Sequence, residues 1–122
     1  PPYQGPGRPP EEAVTIDEVL KDGDTVDAAG GLIAYHTPGH TPGHVAYYQP
    51  ERRLLFAGDL FFVRGESALV SPKDFTIDPQ TAIVSARRMA QLSVESLMTY
   101  HGGPLLKNGG RAIRDLGRSP AP

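Results

Sequence analysis

Three histidines fall within nine residues, and each interval between them carries a Pro-Gly pair: His36-Thr37-Pro38-Gly39-His40-Thr41-Pro42-Gly43-His44. On a helix this spacing would stack the imidazoles on one face, as in zinc-binding helices. The prolines and glycines exclude that. A helix-interior Pro removes a hydrogen bond and clashes with the preceding turn, at about 3 kcal/mol, and each Gly adds roughly 1 kcal/mol. The segment must therefore be a strand end followed by a tight loop. A Pro-Gly-rich loop of this kind can hold an imidazole in one direction by backbone rigidity.

The flanks agree with that reading. Leu32–His36 is a compact β-prone run, and residues 44–49, with Val45, Tyr47 and Tyr48, form a second that stops at Pro50. Glu51-Arg52-Arg53 is a polar hairpin before the apolar run 54–57, which ends at Gly58-Asp59. Residues 60–63 continue apolar until Gly65-Glu66-Ser67 turns the chain. Upstream, 13–20 reads as a brief strand or turn, Lys21-Asp22-Gly23-Asp24 as a turn, and 25–28 as a weak alternation broken by Gly30-Gly31. Asp78 is a good N-cap with Pro79 at the first helical position. From there Ile83, Ala86, Ala90 and Leu92 supply an apolar stripe, and the helix is expected to end near Ser93. Residues 94–100 read as a strand delivering His101, Gly102-Gly103-Pro104 as a loop, and 109–116 as a short closing helix.

Composition narrows the function. At 122 residues there is room for one small domain. Five prolines among the first ten residues make 1–12 an extended linker or loop, with 119–122 as a tail. Cysteine is absent, so disulfides and thiolate metal sites are excluded, and any metal must sit on His and carboxylate ligands. That absence also fits a cytoplasmic protein. A net charge of −2 leaves no broad basic face for nucleic acid or anionic lipid. No stretch approaches the ~20 apolar residues of a membrane span, and none reads as a signal peptide.

Residues 35–44, the run Leu55-Phe56-Ala57-Gly58-Asp59-Leu60-Phe61 and the loop Tyr100-His101-Gly102-Gly103-Pro104 resemble, in order and spacing, the signatures of the metallo-β-lactamase-fold superfamily. The resemblance runs from about residue 22 to 106. It implies that His40 and His101 are metal ligands and that Asp59 is the catalytic carboxylate bridging two metals. The ion would be divalent: zinc first, as one or two ions, with iron or manganese as alternatives. His44, Tyr100 and His36 would stand behind these ligands; His36 is expected mainly to pack or hydrogen-bond. Tyr100 occupies a position where many relatives carry Gly. Phe61, Phe62 and Tyr100 could line a substrate mouth or be buried. Asp74 and Asp78 read as a loop residue and a helix cap.

The implied fold is α/β (α+β): half of a four-layer αββα sandwich, a mixed β-sheet with covering helices, with residues 13–118 as its C-terminal half. The upstream His-x-His-x-Asp-His signature of the family has no counterpart, because no histidine precedes His36. The resemblance therefore implies a partner, either the missing N-terminal half or a second copy, covering an otherwise exposed apolar sheet face. The implied function is a metal-dependent hydrolase, in which metal-bound hydroxide attacks a small-molecule ester, thioester, lactone or phosphoester. Two rivals are a mononuclear-iron persulfide dioxygenase-like enzyme of the same fold and a non-catalytic, self-associating half-domain.

Overall fold

The computed structural model describes residues 14–116; the linker 1–12 and the tail 119–122 lie outside them. The strands are β1 (Thr25–Val26), β2 (Leu32–His36), β3 (Val45–Gln49), β4 (Leu54–Gly58), β5 (Phe61–Arg64), β6 (Ser67–Val70) and β7 (Ser96–Thr99). A 3₁₀ turn covers Lys73–Phe75, and the helices are α1 (Pro79–Met89) and α2 (Gly109–Asp115). Strands β1, β2, β3, β4 and β7 form one sheet in that order, and β5 and β6 pair as a separate hairpin.

Strand direction positions everything that follows. From β1 to β4 the neighbours are antiparallel, whereas β4 and β7 are parallel. Thus β2, β4 and β7 all run the same way and end at one edge of the sheet. The β2–β3 loop, the residue after β4 and the residues after β7 emerge together at that edge. These are the segments carrying His40, Asp59 and His101.

Alternation along the strands gives the sheet two faces. Ile33, Tyr48, Leu55 and Leu97 lie in register on one face, packed with Met89 of α1 and Ile113 of α2 in the hydrophobic core. Ala34, Tyr47, Phe56 and Met98 lie in register on the other. There Leu32, Val45, Tyr47, Phe56, Met98 and Tyr100 line a cavity open to solvent. Among the described residues the result is the expected mixed α/β arrangement, with helices on one face only.

Helix α1 starts where its cap dictates. Asp78 Oδ1 accepts the Thr81 N–H at 3.1 Å, and Oδ2 accepts the Thr81 hydroxyl at 2.7 Å. These bonds hold the Asp78 carboxyl below the usual carboxylate range. The helix stops at Met89, short of Ser93. Bonds from Gln91 N–H to Arg88 O and from Leu92 N–H to Met89 O tighten its last turn, so that Val94 can enter the core. The buried face also differs from the expected stripe. It runs through Ala82, Ser85, Ala86 and Met89, while Ile83 is 36% exposed. Small residues face inward because the β2–β3 loop packs directly on the helix. Residues 14–20 form no regular element, β6 is a strand that its sequence did not announce, and 94–100 shortens to the four residues of β7. Among the described residues, no helix is long and apolar enough to cross a membrane.

Candidate metal centre

The loop after β2 is closed at its base and held on its flank. Thr37 is 0% exposed, and its N–H donates to the His44 carbonyl at 2.9 Å. Asp78 and Ile77 donate their N–H groups to the carbonyls of Gly39 (2.9 Å) and His40 (3.3 Å), and Ser85 Oγ donates to Pro38 O at 2.7 Å. Gly39 has φ +143, and a Cβ there would lie 2.3 Å from Ala82 Cα, so only glycine lets the loop sit this close to α1. His36 binds the loop from outside, its Nε2 donating to Pro42 O at 2.9 Å. Rather than packing, it is exposed, and its ring bonds the loop and not Asp59.

Asp59 follows a glycine that turns the chain at φ +57. Its carbonyl accepts the Ser71 hydroxyl, and its N–H donates to His44 Nε2 at 3.0 Å. Its carboxylate faces two imidazoles: His101 Nδ1 lies 3.1 Å from Oδ1, and His40 Nε2 lies 3.4 Å from Oδ2. The His40 and Asp59 side chains are each 24% exposed and that of His101 is 78% exposed, so the group opens to solvent on the His101 side. His40 Nδ1 is buried with no hydrogen-bond partner among the described residues.

The His101 loop is anchored from two sides. Tyr100 N–H donates to Gly58 O at 3.0 Å, and Val63 N–H donates to His101 O at 3.1 Å. Gly102 fits against β5 only without a side chain, since a Cβ would come within 1.8 Å of Val63 O. Tyr100 is largely exposed beside Gly58. Phe61 belongs to the core, and Phe62 lies under the Arg64 guanidinium at 5.6 Å, so neither supports the substrate-mouth reading. Asp74 sits exposed in the 3₁₀ turn.

His44 is half-buried, 6.4 Å from the His40 ring in an edge-to-face arrangement. Burial holds its pKa below the ordinary imidazole range; the Asp59 charge opposes that shift, and His40 adds to it. Sequence reasoning missed Thr37, Ser71 and the steric demands of Gly58 and Gly102. Thr37 bonds His44 Nδ1 at 2.8 Å, but nothing in its local pattern marks it beyond a β-branched residue before proline.

Two imidazoles and a carboxylate suit a divalent ion of borderline hardness. They fit in kind but not in placement: among the described residues, no three His, Asp or Glu side chains are placed to enclose one ion. A metal bound beside His40, Asp59 and His101 would need ligands from outside these three residues.

A sequence profile described as the metallo-beta-lactamase superfamily matches residues 1–101. The hydroxyacylglutathione hydrolase of Bartonella henselae is 36% identical over 95 residues, covering 77% of this chain and 36% of its own length. The probable metallo-hydrolase YflN of Bacillus subtilis is 35% identical over 80 residues, covering 57% of this chain and 30% of its own. Among solved structures, the metallo-beta-lactamase family protein TTHA1429 from Thermus thermophilus aligns with TM-score 0.63 at 29% identity, over 81% of this chain and 34% of the other. TTHA1623, solved in a di-iron-bound form, aligns with TM-score 0.60 at 31% identity, over 78% and 45%. The chain spans about a third of the length of these two curated relatives.

Proposed function

This chain belongs to the metallo-beta-lactamase superfamily, and from that premise we propose that it supplies part of the metal centre of a hydrolase acting on a thioester- or ester-type acyl group. The observation that carries the reading is the meeting of His40 and His101 on the two oxygens of Asp59, at 3.4 and 3.1 Å. A bound divalent metal supplies an acidified water at neutral pH and polarises the acyl carbonyl. The residues of this chain contribute donors and direction. His40 and His101 offer neutral nitrogen donors, Asp59 offers the negative charge, and the two glycine-bearing loops hold all three at one sheet edge. Thioester is preferred over lactone or phosphoester because hydroxyacylglutathione hydrolases recur among the relatives. Zinc is the first expectation for the metal; iron gains support from the di-iron form of TTHA1623.

The remaining ligands would come from the rest of the protein, seated on the open sheet face around Tyr47, Phe56 and Met98. An apolar surface of that kind is stabilised by being covered, at about 25 cal/mol per Å² removed from water. The test is metal content and turnover together. The full protein, purified without added metal, is analysed for bound zinc, iron and manganese and assayed on acyl-thioester and ester substrates. Metal loss and inactivity in Asp59→Asn support the reading. Turnover that survives both chelation and Asp59→Asn would sink it.

A further inference from the structure

We propose that His44 is a positioning residue for Asp59, held between the Asp59 N–H and the Thr37 hydroxyl in the tautomer that carries its proton on Nδ1. The proton directions follow from one donor that cannot be reversed. Asp59 N–H points at His44 Nε2 over 3.0 Å, and a backbone N–H can only donate, so Nε2 must present a lone pair. The imidazole proton then sits on Nδ1, which meets Thr37 Oγ1 at 2.8 Å. Thr37 Oγ1 passes its own proton to the His44 carbonyl at 3.4 Å, and Thr37 N–H reaches the same carbonyl at 2.9 Å. The side chain that accepts the Nδ1 proton is thus tied to the backbone of the residue that donates it.

Space and position support the assignment. A Cβ on Gly58 would lie 2.9 Å from His44 Nε2, so glycine leaves the opening through which the imidazole reaches the next N–H. The His44 ring also stands edge-on to His40, so one side chain borders two of the three metal-donor candidates. His44 does not meet the Asp59 carboxylate oxygens; it holds the backbone from which that carboxylate projects. Residues that orient ligands in this way typically change metal affinity or activity by about 10–100-fold when removed. The inference rests on the reading of Asp59 as a ligand, although the tautomer itself does not.

The full protein, labelled with 15N-histidine, is measured by NMR in its metal-free state. Zinc affinity is then determined for wild type, Thr37→Val and Thr37→Ser, with circular dichroism confirming that each is folded. The expected result is a His44 proton on Nδ1 in the wild type. Thr37→Val strips the Nδ1 proton of its acceptor and weakens zinc binding about 10–100-fold, while Thr37→Ser, which keeps the hydroxyl, holds the wild-type affinity. A wild-type proton on Nε2 overturns the proposal, as does a folded Thr37→Val with unchanged zinc affinity. Should Thr37→Val fail to fold, Thr37→Ala, which also removes the hydroxyl, is measured in its place with the same two outcomes. A wild type that takes up no divalent metal defeats the metal-centre reading separately, because the tautomer is read without metal.

Discussion

His101 Nδ1 lies 3.1 Å from Asp59 Oδ1 across 42 residues of sequence. The contact follows from strand direction. Asp59 comes directly after β4, and His101 comes shortly after β7, which runs parallel to β4 as its neighbour. Parallel neighbours finish at the same edge, so residues just past their ends are brought together whatever their separation along the chain.

Replacing Asp59 by Asn keeps the volume and removes the charge between His40 and His101. The expected outcome for the full protein is loss of bound metal and a fall in turnover of at least about 100-fold, beyond what residues behind the ligands usually cost. Elemental analysis and kinetics read it. Thermal unfolding of the metal-free form is expected to stay close to wild type, since the Asp59 main-chain bonds to His44 and Ser71 remain.

Gly58→Ala is expected to damage the same site from beneath. The residue holds φ +57, and the added methyl would meet His44 Nε2 at 2.9 Å. Left-handed backbone strain and the displaced imidazole together lower stability by about 1–3 kcal/mol, readable by urea titration. Zinc affinity should fall with it. Wild-type values in both measurements would show that the His44 contact is dispensable.

The packing of the histidine loop on α1 can be probed by two substitutions of different severity. Ser85→Ala removes one hydrogen bond to Pro38 O and should cost about 1 kcal/mol. Gly39→Ala puts a methyl 2.3 Å from Ala82 Cα and must push loop and helix apart, at about 1–3 kcal/mol. The order of the two melting temperatures is the readout. If Gly39→Ala proved the milder change, the close approach of loop and helix would be wrong.

Asp22 offers a pH test away from the donors. Its carboxylate takes two bonds from Arg88, at 2.8 and 2.9 Å, and the His36 N–H at 2.8 Å. The Arg88 bond first, and His36 next, hold its pKa below 3.8. A carboxyl depressed on folding contributes stability that is fully present above its unfolded pKa and is lost as pH falls through the lower folded value. Both side chains are nearly half exposed, so the contribution is on the order of 1 kcal/mol or less. Asp22→Asn should therefore be slightly less stable than wild type near pH 7, with the gap closing below about pH 3.8. A gap that persists at low pH would assign the effect to lost hydrogen bonds rather than to charge.

Much of this was legible along the chain because it depends on near neighbours. Pro and Gly forbid a helix at 36–44, Asp78-Pro79 starts α1, and the apolar run ending at Gly58 makes β4. The end and inward face of α1 were not legible. Ile83 is the larger apolar residue, yet Ala82 and Ser85 face inward because a loop more than forty residues earlier leaves space only for small side chains.

By itself, the sequence determined which groups were available: four histidines, no cysteine, and an aspartate after a strand-ending glycine. It also determined that three of those histidines could not share a helix face. Only the tertiary structure decided how the four rings divide. His40 and His101 meet Asp59, His44 turns to its backbone N–H, and His36 bonds the loop carbonyl of Pro42. An imidazole takes its direction from the donors and acceptors around it. For His44 and His101 the deciding partner is Asp59, 15 and 42 residues away, which only the assembled sheet brings beside them.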